Sequence, residues 1–292
     1  MNINFDLREY ECSSGICDGS NCCSSNRVAI VVGGSSGIGL NTALGLAREG
    51  FTVYNLSRRE ADFCSSCVPR LYNICCDVEN NCDVGKAVAR VVASESRIDA
   101  LIYSAGCSLA APLEYTTEID FRRVFEVNYF GFIKTLWQVL PVMRSRRHGR
   151  IVVVSSLAGS CPIPFDAPYS ASKAALDMTI RTLALELKPF NIKLTAIAPG
   201  GVATNFTFKR KHYPISAVGE YAQALEVAST KLGLIEQNGL APHEVSRSII
   251  NLINSKKPPC SCSVGLANKT AKLAQKILPC ALADIITGSL YQ

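Results

Sequence analysis

Apolar and polar residues alternate along this chain in short blocks of two kinds. The first block is Val28-Ala29-Ile30-Val31-Val32, which is too short and too β-branched for a helix and predicts a strand. Glycines and serines follow, then an amphipathic stretch from about Ile38 to Glu49 that predicts a helix. The alternation repeats. Strands are predicted at Val53 to Leu56, Leu71 to Cys75, Ala100 to Tyr103, Ile151 to Val154 and Leu194 to Ile197. Helices are predicted at Asp83 to Ser94, Ile119 to Met143 and Tyr169 to Leu187. Strands that are apolar on both faces and alternate with amphipathic helices imply an α/β fold, a doubly wound parallel sheet covered on both sides.

The two ends depart from this pattern. Residues 1–26 are rich in Ser, Asn, Gly and Cys, show no periodicity and read as a flexible tail before a single domain over 27–292. Beyond Gly201 the periodicity loosens. The region 205–292 is expected to form a substrate lid and a C-terminal apolar segment. Its last stretch, Leu273 to Leu290, is broken by Gln275, Lys276, Pro279, Asp284 and Gly288, too often to span a bilayer. A helix lying on a membrane or on a partner subunit remains open there.

Composition narrows the function classes. Apolar residues make up 48% and charged residues 18% of 292, enough for a large core and contrary to disorder. A net charge of +6 with interspersed signs and no Lys/Arg block gives no nucleic-acid footprint. Fourteen cysteines would suggest disulfides in a small secreted protein, but the N-terminus lacks the apolar run of a signal peptide. They are read as reduced thiols in a cytoplasmic protein, with Cys107 and Cys161 as small residues near buried strands. Cys12, Cys17, Cys22 and Cys23 match no common zinc spacing, and the Cys64/Cys67 pair has no second CxxC, so no metal is expected.

Gly33-Gly34-Ser35-Ser36-Gly37-Ile38-Gly39 lies between the first strand and the first helix, the context that makes a glycine loop informative. Gly33 permits the sharp turn. Gly37 and Gly39 let backbone and helix approach a pyrophosphate, and the helix N-terminus offers free N–H groups. The G-x-x-x-G-x-G spacing resembles the T-G-x-x-x-G-x-G loop of the short-chain dehydrogenase/reductase family, with Val32 in place of the usual Thr. That resemblance covers about Val28 to Phe206 and implies a Rossmann-type fold and a nicotinamide cofactor. An NAD site places a carboxylate at the end of the second strand, where this chain has Ser57 followed by Arg58 and Arg59. The arginines either grip a 2′-phosphate or are solvated; the missing carboxylate favours the first and hence NADP(H). Asp77-Val78 resembles the pair that contacts adenine. Ser104-Ala105-Gly106 stands where the family has Asn-Ala-Gly, a second departure. Pro199, Gly200, Val202 and Thr204 resemble the nicotinamide-side loop.

Tyr169 and Lys173 are four residues apart, on one face of a helix. Ser156 lies just past a predicted strand, and Asn128 in the middle of a long predicted helix. These four resemble the family's Asn-Ser-Tyr-Lys tetrad. A phenol with an ordinary pKa near ~10 can deliver a proton to a ketone oxygen, and better if its anion is stabilised. Lys173 on the adjacent turn does this and can hold the nicotinamide ribose, while Ser156 polarises the substrate carbonyl. The resemblance implies that Asn128 positions a water relaying protons to the lysine.

Phe206, Phe208, Tyr213 and Tyr221 beside Lys209-Arg210-Lys211-His212 suit a lipophilic substrate with an anionic head, or a solvated loop with a few aromatic anchors. The run from Glu186-Leu187-Lys188-Pro189-Phe190 to Asn205-Phe206, with the Leu-Pro and Asp of the apolar tail, is similar to membrane-associated lipid carbonyl reductases of the family, such as 1-acyldihydroxyacetone-phosphate reductase, and to hydroxysteroid and retinol dehydrogenases. The expected activity is NADPH-dependent reduction of a ketone or aldehyde. Alcohol oxidation and a non-catalytic NADP sensor stay open. A homodimer or homotetramer is implied by the family, and the apolar C-terminal segment admits peripheral membrane contact.

Overall fold

The computed structural model describes residues 27–63 and 68–291. The cysteine cluster of the first 26 residues and the Cys64/Cys67 pair lie outside them. Seven parallel strands form one sheet: β1 (Val28–Val32), β2 (Thr52–Ser57), β3 (Leu71–Cys75), β4 (Ala100–Tyr103), β5 (Gly149–Val154), β6 (Ile192–Ala198) and β7 (Ser261–Ser263). Their spatial order is 3-2-1-4-5-6-7. This is the doubly wound arrangement that the sequence predicts.

Side chains leave a strand alternately to its two faces, and β1 shows what that does here. Val28, Ile30 and Val32 enter the core beneath α2 (Asn81–Glu95), α4 (Gly131–Ser145) and α5 (Ala167–Glu186). Ala29 and Val31 enter the opposite core beneath α1 (Gly37–Arg48) and a later helix, Pro242–Asn254. Every residue of β1 and β2 is buried, so continuous apolar runs rather than alternation mark them.

The predicted long helix Ile119 to Met143 is corrected. It is α3 (Glu118–Phe125), a π turn at Glu126–Phe130, then α4. The Tyr103 hydroxyl, rising from β4, donates to the Val127 carbonyl inside that turn. Gly131 leaves room for the hydroxyl, where a Cβ would collide with it. A π turn commonly marks a functional position, and Asn128 lies in its centre. The strand β7 has no counterpart in the sequence reading, because Ser261-Cys262-Ser263 carries no apolar pattern at the sheet's edge.

After β6 the chain makes one helical turn, Phe206–Lys209, and then pairs Lys211–His212 with Leu109–Ala110. Helices α6 (Ala222–Gln237), α7 (Pro242–Asn254), α8 (Leu266–Ile277) and α9 (Cys280–Ser289) complete the described chain. Among the described residues no helix is long and apolar enough to cross a membrane. The order of strands reverses between β1 and β4, so the loops at their carboxyl ends splay apart there and leave a crevice.

Candidate active site

A cavity of about 690 Å³ opens in that crevice. It collects loops from the carboxyl ends of β1 to β6. Of the expected catalytic and cofactor-binding residues, all but two line it. The exceptions are Gly39, which packs under the Gly33 carbonyl, and Asn128, which is fully buried behind the wall. Of the aromatic and basic residues expected at the substrate end, Phe206, Lys209, Arg210 and Lys211 line it, while Phe208, His212, Tyr213 and Tyr221 do not.

One half of the cavity is built from backbone. Gly33 has φ +84°, and a Cβ there would lie 2.5 Å from the Ala105 nitrogen. Only glycine lets the turn pass so close to the β4 loop. α1 then begins with no acidic residue in its first turn and no side-chain cap on its N–H groups. An uncapped helix start facing a cavity is a site for an anion. Thr204 approaches from the β6 side, close enough that a Cβ on Gly37 would touch its methyl group at 3.3 Å. Ser35, Ser36, Ile38, Ala105, Gly106, Pro199, Gly200 and Val202 complete this lining with the Asp77-Val78 and Ser104 loops.

At the end of β2, Ser57 is buried and its hydroxyl donates to the Arg59 carbonyl at 2.7 Å, which curls the loop. Arg58 is exposed and lies 3.7 Å from Glu79, which also stands 4.0 Å from Arg123. Lys209 reaches the same rim from the opposite wall, its ammonium held below the ordinary range by burial and then by the charge of Arg59. This part of the lining therefore carries Arg58, Arg59, Arg123 and Lys209 against two carboxylates, Asp77 and Glu79. These residues fit a nicotinamide dinucleotide: a cradle that no side chain fills, an uncapped helix start and a cationic rim.

The other half holds reactive side chains. Tyr169 and Lys173 project from the first two turns of α5. Burial pushes the Tyr169 phenol well above its ordinary range, and a hydrogen bond from Ser156 partly offsets this. Ser156 itself accepts from the Ala158 N–H at 3.1 Å, which fixes its rotamer. Lys173 Nζ donates to the Val154 carbonyl at 2.8 Å and lies 5.5 Å from the centre of the Tyr169 ring. Burial pulls its ammonium down to about 8. A phenol that holds its proton and a lysine so lowered form an acid and base pair within one turn of helix.

Asn128 is a clamp. Its Oδ1 accepts from the Cys107 N–H at 2.8 Å, and its Nδ2 donates to the Cys107 carbonyl at 3.0 Å and to Ser172 Oγ at 2.9 Å. Both amide hydrogens are committed, so the side chain ties the β4 loop to α5. The Cys107 and Cys161 thiols are free and pushed up by burial, to about 11 for Cys107.

Sequence reasoning missed a second set of lining residues, Ser108, Asp166 and Glu236, with Tyr291 and Leu290 from the C-terminal end; they lie beside Arg210, which the sequence places at the substrate end. The strand pair at Lys211–His212 is held beside them by Asp120, which accepts from Lys211 Nζ at 2.6 and 2.7 Å and from the Tyr213 hydroxyl at 2.7 Å. Lys211, then Tyr213, hold the Asp120 carboxyl below its ordinary range. The tie is thus fully present above the unfolded carboxylate pKa and weakens as pH falls through the lower folded value. Asp120→Ala is expected to raise KM by about threefold to tenfold with kcat little changed, because a partly exposed ion pair is worth only about 1 kcal/mol. Steady-state kinetics at pH 7 check this.

The family profile described as short chain dehydrogenase matches residues 27–213. The chain is 33% identical over 240 residues to 3-ketodihydrosphingosine reductase of Bacteroides thetaiotaomicron, covering 82% of this chain and 88% of that protein. It is 29% identical over 240 residues to NADPH-dependent 1-acyldihydroxyacetone phosphate reductase of Saccharomyces cerevisiae, covering 80% of each. A short-chain dehydrogenase from Streptomyces avermitilis superposes with a TM-score of 0.77 at 30% identity, over 86% of this chain and 94% of that one.

Proposed function

We propose that this chain, which belongs to the short-chain dehydrogenase family, uses NADPH to reduce a ketone or aldehyde on a lipophilic substrate, with Tyr169 as the proton donor. The observation that carries this reading is the pairing of Tyr169 with Ser156 and Lys173 at one end of a cavity whose other end is an unfilled glycine cradle. When bound, the cofactor supplies the hydride. Gly33, Ser35, Ser36, Gly37 and Ile38 hold its pyrophosphate, with Gly39 packed behind them. Ser57, Arg58 and Arg59 take the 2′-phosphate, Asp77 and Val78 the adenine, and Ser104, Ala105 and Gly106 the strand end beneath. Pro199, Gly200, Val202 and Thr204 set the nicotinamide face, and Lys173 its ribose.

Ser156 orients the carbonyl and Tyr169 protonates its oxygen as charge develops there. Lys173 then returns a proton toward the phenolate. Asn128 acts as a positioning residue, by holding the Cys107 loop against α5. Leu109, Val124, Leu232, Ile235 and Leu278 give the substrate end apolar walls, and the two reductases named above act on lipids by their names. The segment 205–292 serves as the lid over this end. Trp137, Met178 and Leu185, exposed on α4 and α5, offer the face for a second copy.

NADPH and NADH oxidation by the purified protein, followed against ketones from small diketones to long-chain lipid ketones, tests the proposal. Turnover with NADPH on the long-chain members is expected; activity confined to small polar ketones, or none at all, would overturn it. Cofactor choice has its own test. Ser57→Asp combined with Arg58→Ala is expected to shift the ratio of kcat/KM values toward NADH by about tenfold to a hundredfold, since it adds the carboxylate and removes a phosphate contact.

A further inference from the structure

Beyond Tyr169 the cavity wall contains a buried polar chain to which the proton transfer assigns no role. Arg210, 6% exposed, lies at its centre. Its Nη2 donates to Glu236 Oε1 at the end of α6, and the other Glu236 oxygen accepts from Thr207 Oγ1 at 2.6 Å. Its Nε donates to Ser108 Oγ at 2.9 Å, and Ser108 Oγ donates to Asp166 Oδ2 at 2.8 Å. A hydroxyl has one hydrogen to give. Ser108 commits it to Asp166 while Arg210 occupies a lone pair, so this limb runs in one direction, from arginine through serine to carboxylate.

The two limbs end in different places. Thr207 belongs to the helical turn Phe206–Lys209 of the lid. Phe206, at the head of that turn, stands 5.8 Å from the Tyr169 ring between centroids, and its N–H donates to Thr204 on the glycine-loop side. Fastening Thr207 to Glu236 therefore fixes the turn that covers the reacting centre. The other limb ends at the start of α5. The Asp166 carbonyl accepts the Ser170 N–H at 3.0 Å, the bond with which that helix opens, and Tyr169 follows three residues later. Asp166 makes no side-chain cap, so Ser108 holds its carboxylate in place of the helix it opens.

A buried ion pair adds little net stability, because both charges lose their water. Arg210 and Glu236 form such a pair, with side chains 2% and 13% exposed. What the pair supplies is geometry, since a planar guanidinium holds its acceptors in set directions. The backbone pairing of Lys211–His212 with Leu109–Ala110 already attaches the lid beside it. The place of Arg210 is therefore explained by what its two limbs hold.

We propose that Arg210 is a positioning residue that couples the lid to the proton donor: through Glu236 it fastens the lid turn, and through Ser108 and Asp166 it fixes the start of the helix that carries Tyr169. This rests on the carbonyl-reductase reading and adds the residue that sets lid and donor in one register.

Steady-state kinetics with NADPH and a long-chain ketone, expressed per NADPH-binding site, separate the limbs. Ser108→Ala cuts Arg210 from α5 and leaves the Glu236 pair. It is expected to lower kcat by about tenfold with KM within about twofold. Glu236→Gln keeps its shape and loosens the lid, and is expected to raise KM by about tenfold with kcat within about twofold. Arg210→Met should show both changes. Arg210→Lys should recover KM and not kcat, because one ammonium can pair with Glu236 but lacks the fork that reaches Ser108 at the same time. A merely structural arginine would lower the unfolding temperature and leave both constants per site unchanged. That result, or the same change in Ser108→Ala and Glu236→Gln, overturns the proposal. If Arg210→Met does not fold, those two variants decide, since one removes a single oxygen and the other exchanges one. If the wild type reduces no ketone, the reductase reading falls, and calorimetric binding of a long-chain secondary alcohol to the NADP⁺ complex tests the lid limb by itself. Binding weakened about tenfold in Glu236→Gln and unchanged in Ser108→Ala upholds the hold of Arg210 on the lid; equal binding by the wild type and Glu236→Gln overturns it.

Discussion

Tyr169→Phe is expected to lower kcat by about 10³-fold while the protein still folds and still binds NADPH. The substitution removes one oxygen from a buried site. The ring remains, and with it the packing against Leu109, Ala111 and Val124 and the contact with Phe206 at 5.8 Å between centroids. Ser156 loses one partner and keeps the Ala158 N–H, so stability should change by no more than about 1 kcal/mol. What disappears is the proton. Burial holds the phenol proton well above its ordinary pKa, so at neutral pH the group is a reservoir that only a developing alkoxide can draw on. NADPH oxidation in the presence of the best ketone, together with fluorescence titration of NADPH, checks both halves. A variant that keeps even a tenth of the activity would assign proton delivery elsewhere, for example to a water in the cavity.

The retained fold matters to that test, and the sequence already specified most of it. The Val28–Val32 run followed at once by Gly33-Gly34 places a strand end, a tight turn and a helix start within a dozen residues, all from local chemistry. The same holds for Ser156 after β5 and for Tyr169 and Lys173 on α5. Each of these is legible because its neighbours in sequence are its neighbours in space.

The chain Ser108–Asp166–Arg210–Glu236 was invisible for the opposite reason. Its hydrogen bonds span 58, 102 and 26 positions. Arg210 reads in sequence as one of four consecutive basic or histidine residues that suit either an anionic substrate head or a solvated loop, and only the fold shows that it is buried while Lys211 next to it is exposed and pairs with Asp120. Asp166 stands at the N-cap of α5, yet its side chain makes no capping bond. The π turn escaped for a subtler reason. The apolar period of α3 and α4 runs on nearly undisturbed across one extra residue, and the cause of the bulge, the Tyr103 hydroxyl, lies 24 positions away.

Lys173→Met should separate activity from stability. The ammonium is buried and its pKa falls from 10.5 to about 8, chiefly through desolvation, with the charge of Asp177 opposing. A lysine with a depressed folded pKa binds fewer protons in the native state than in the unfolded chain between those two values, so it weakens the fold below about pH 8, and the penalty is relieved as pH rises toward 10.5. The shift corresponds to about 3 kcal/mol at neutral pH as an upper figure. Met fills a similar volume without charge. Against that gain stand the lost hydrogen bond to the Val154 carbonyl and the lost support for the Asp177 carboxylate, itself already pushed up by burial. The balance is expected to favour the variant by about 1 kcal/mol or more at pH 7, and the advantage should vanish by about pH 10. Thermal unfolding without cofactor, followed from pH 7 to pH 10, checks the sign. Turnover should meanwhile fall by about 10²-fold or more, because the phenolate left on Tyr169 after each cycle then has no cation beside it and no lysine to return its proton. A buried charge kept at the expense of the fold is what a site selected for chemistry contains, so a Lys173→Met protein that is both inactive and less stable would mean that Lys173 is there to hold α5 against β5.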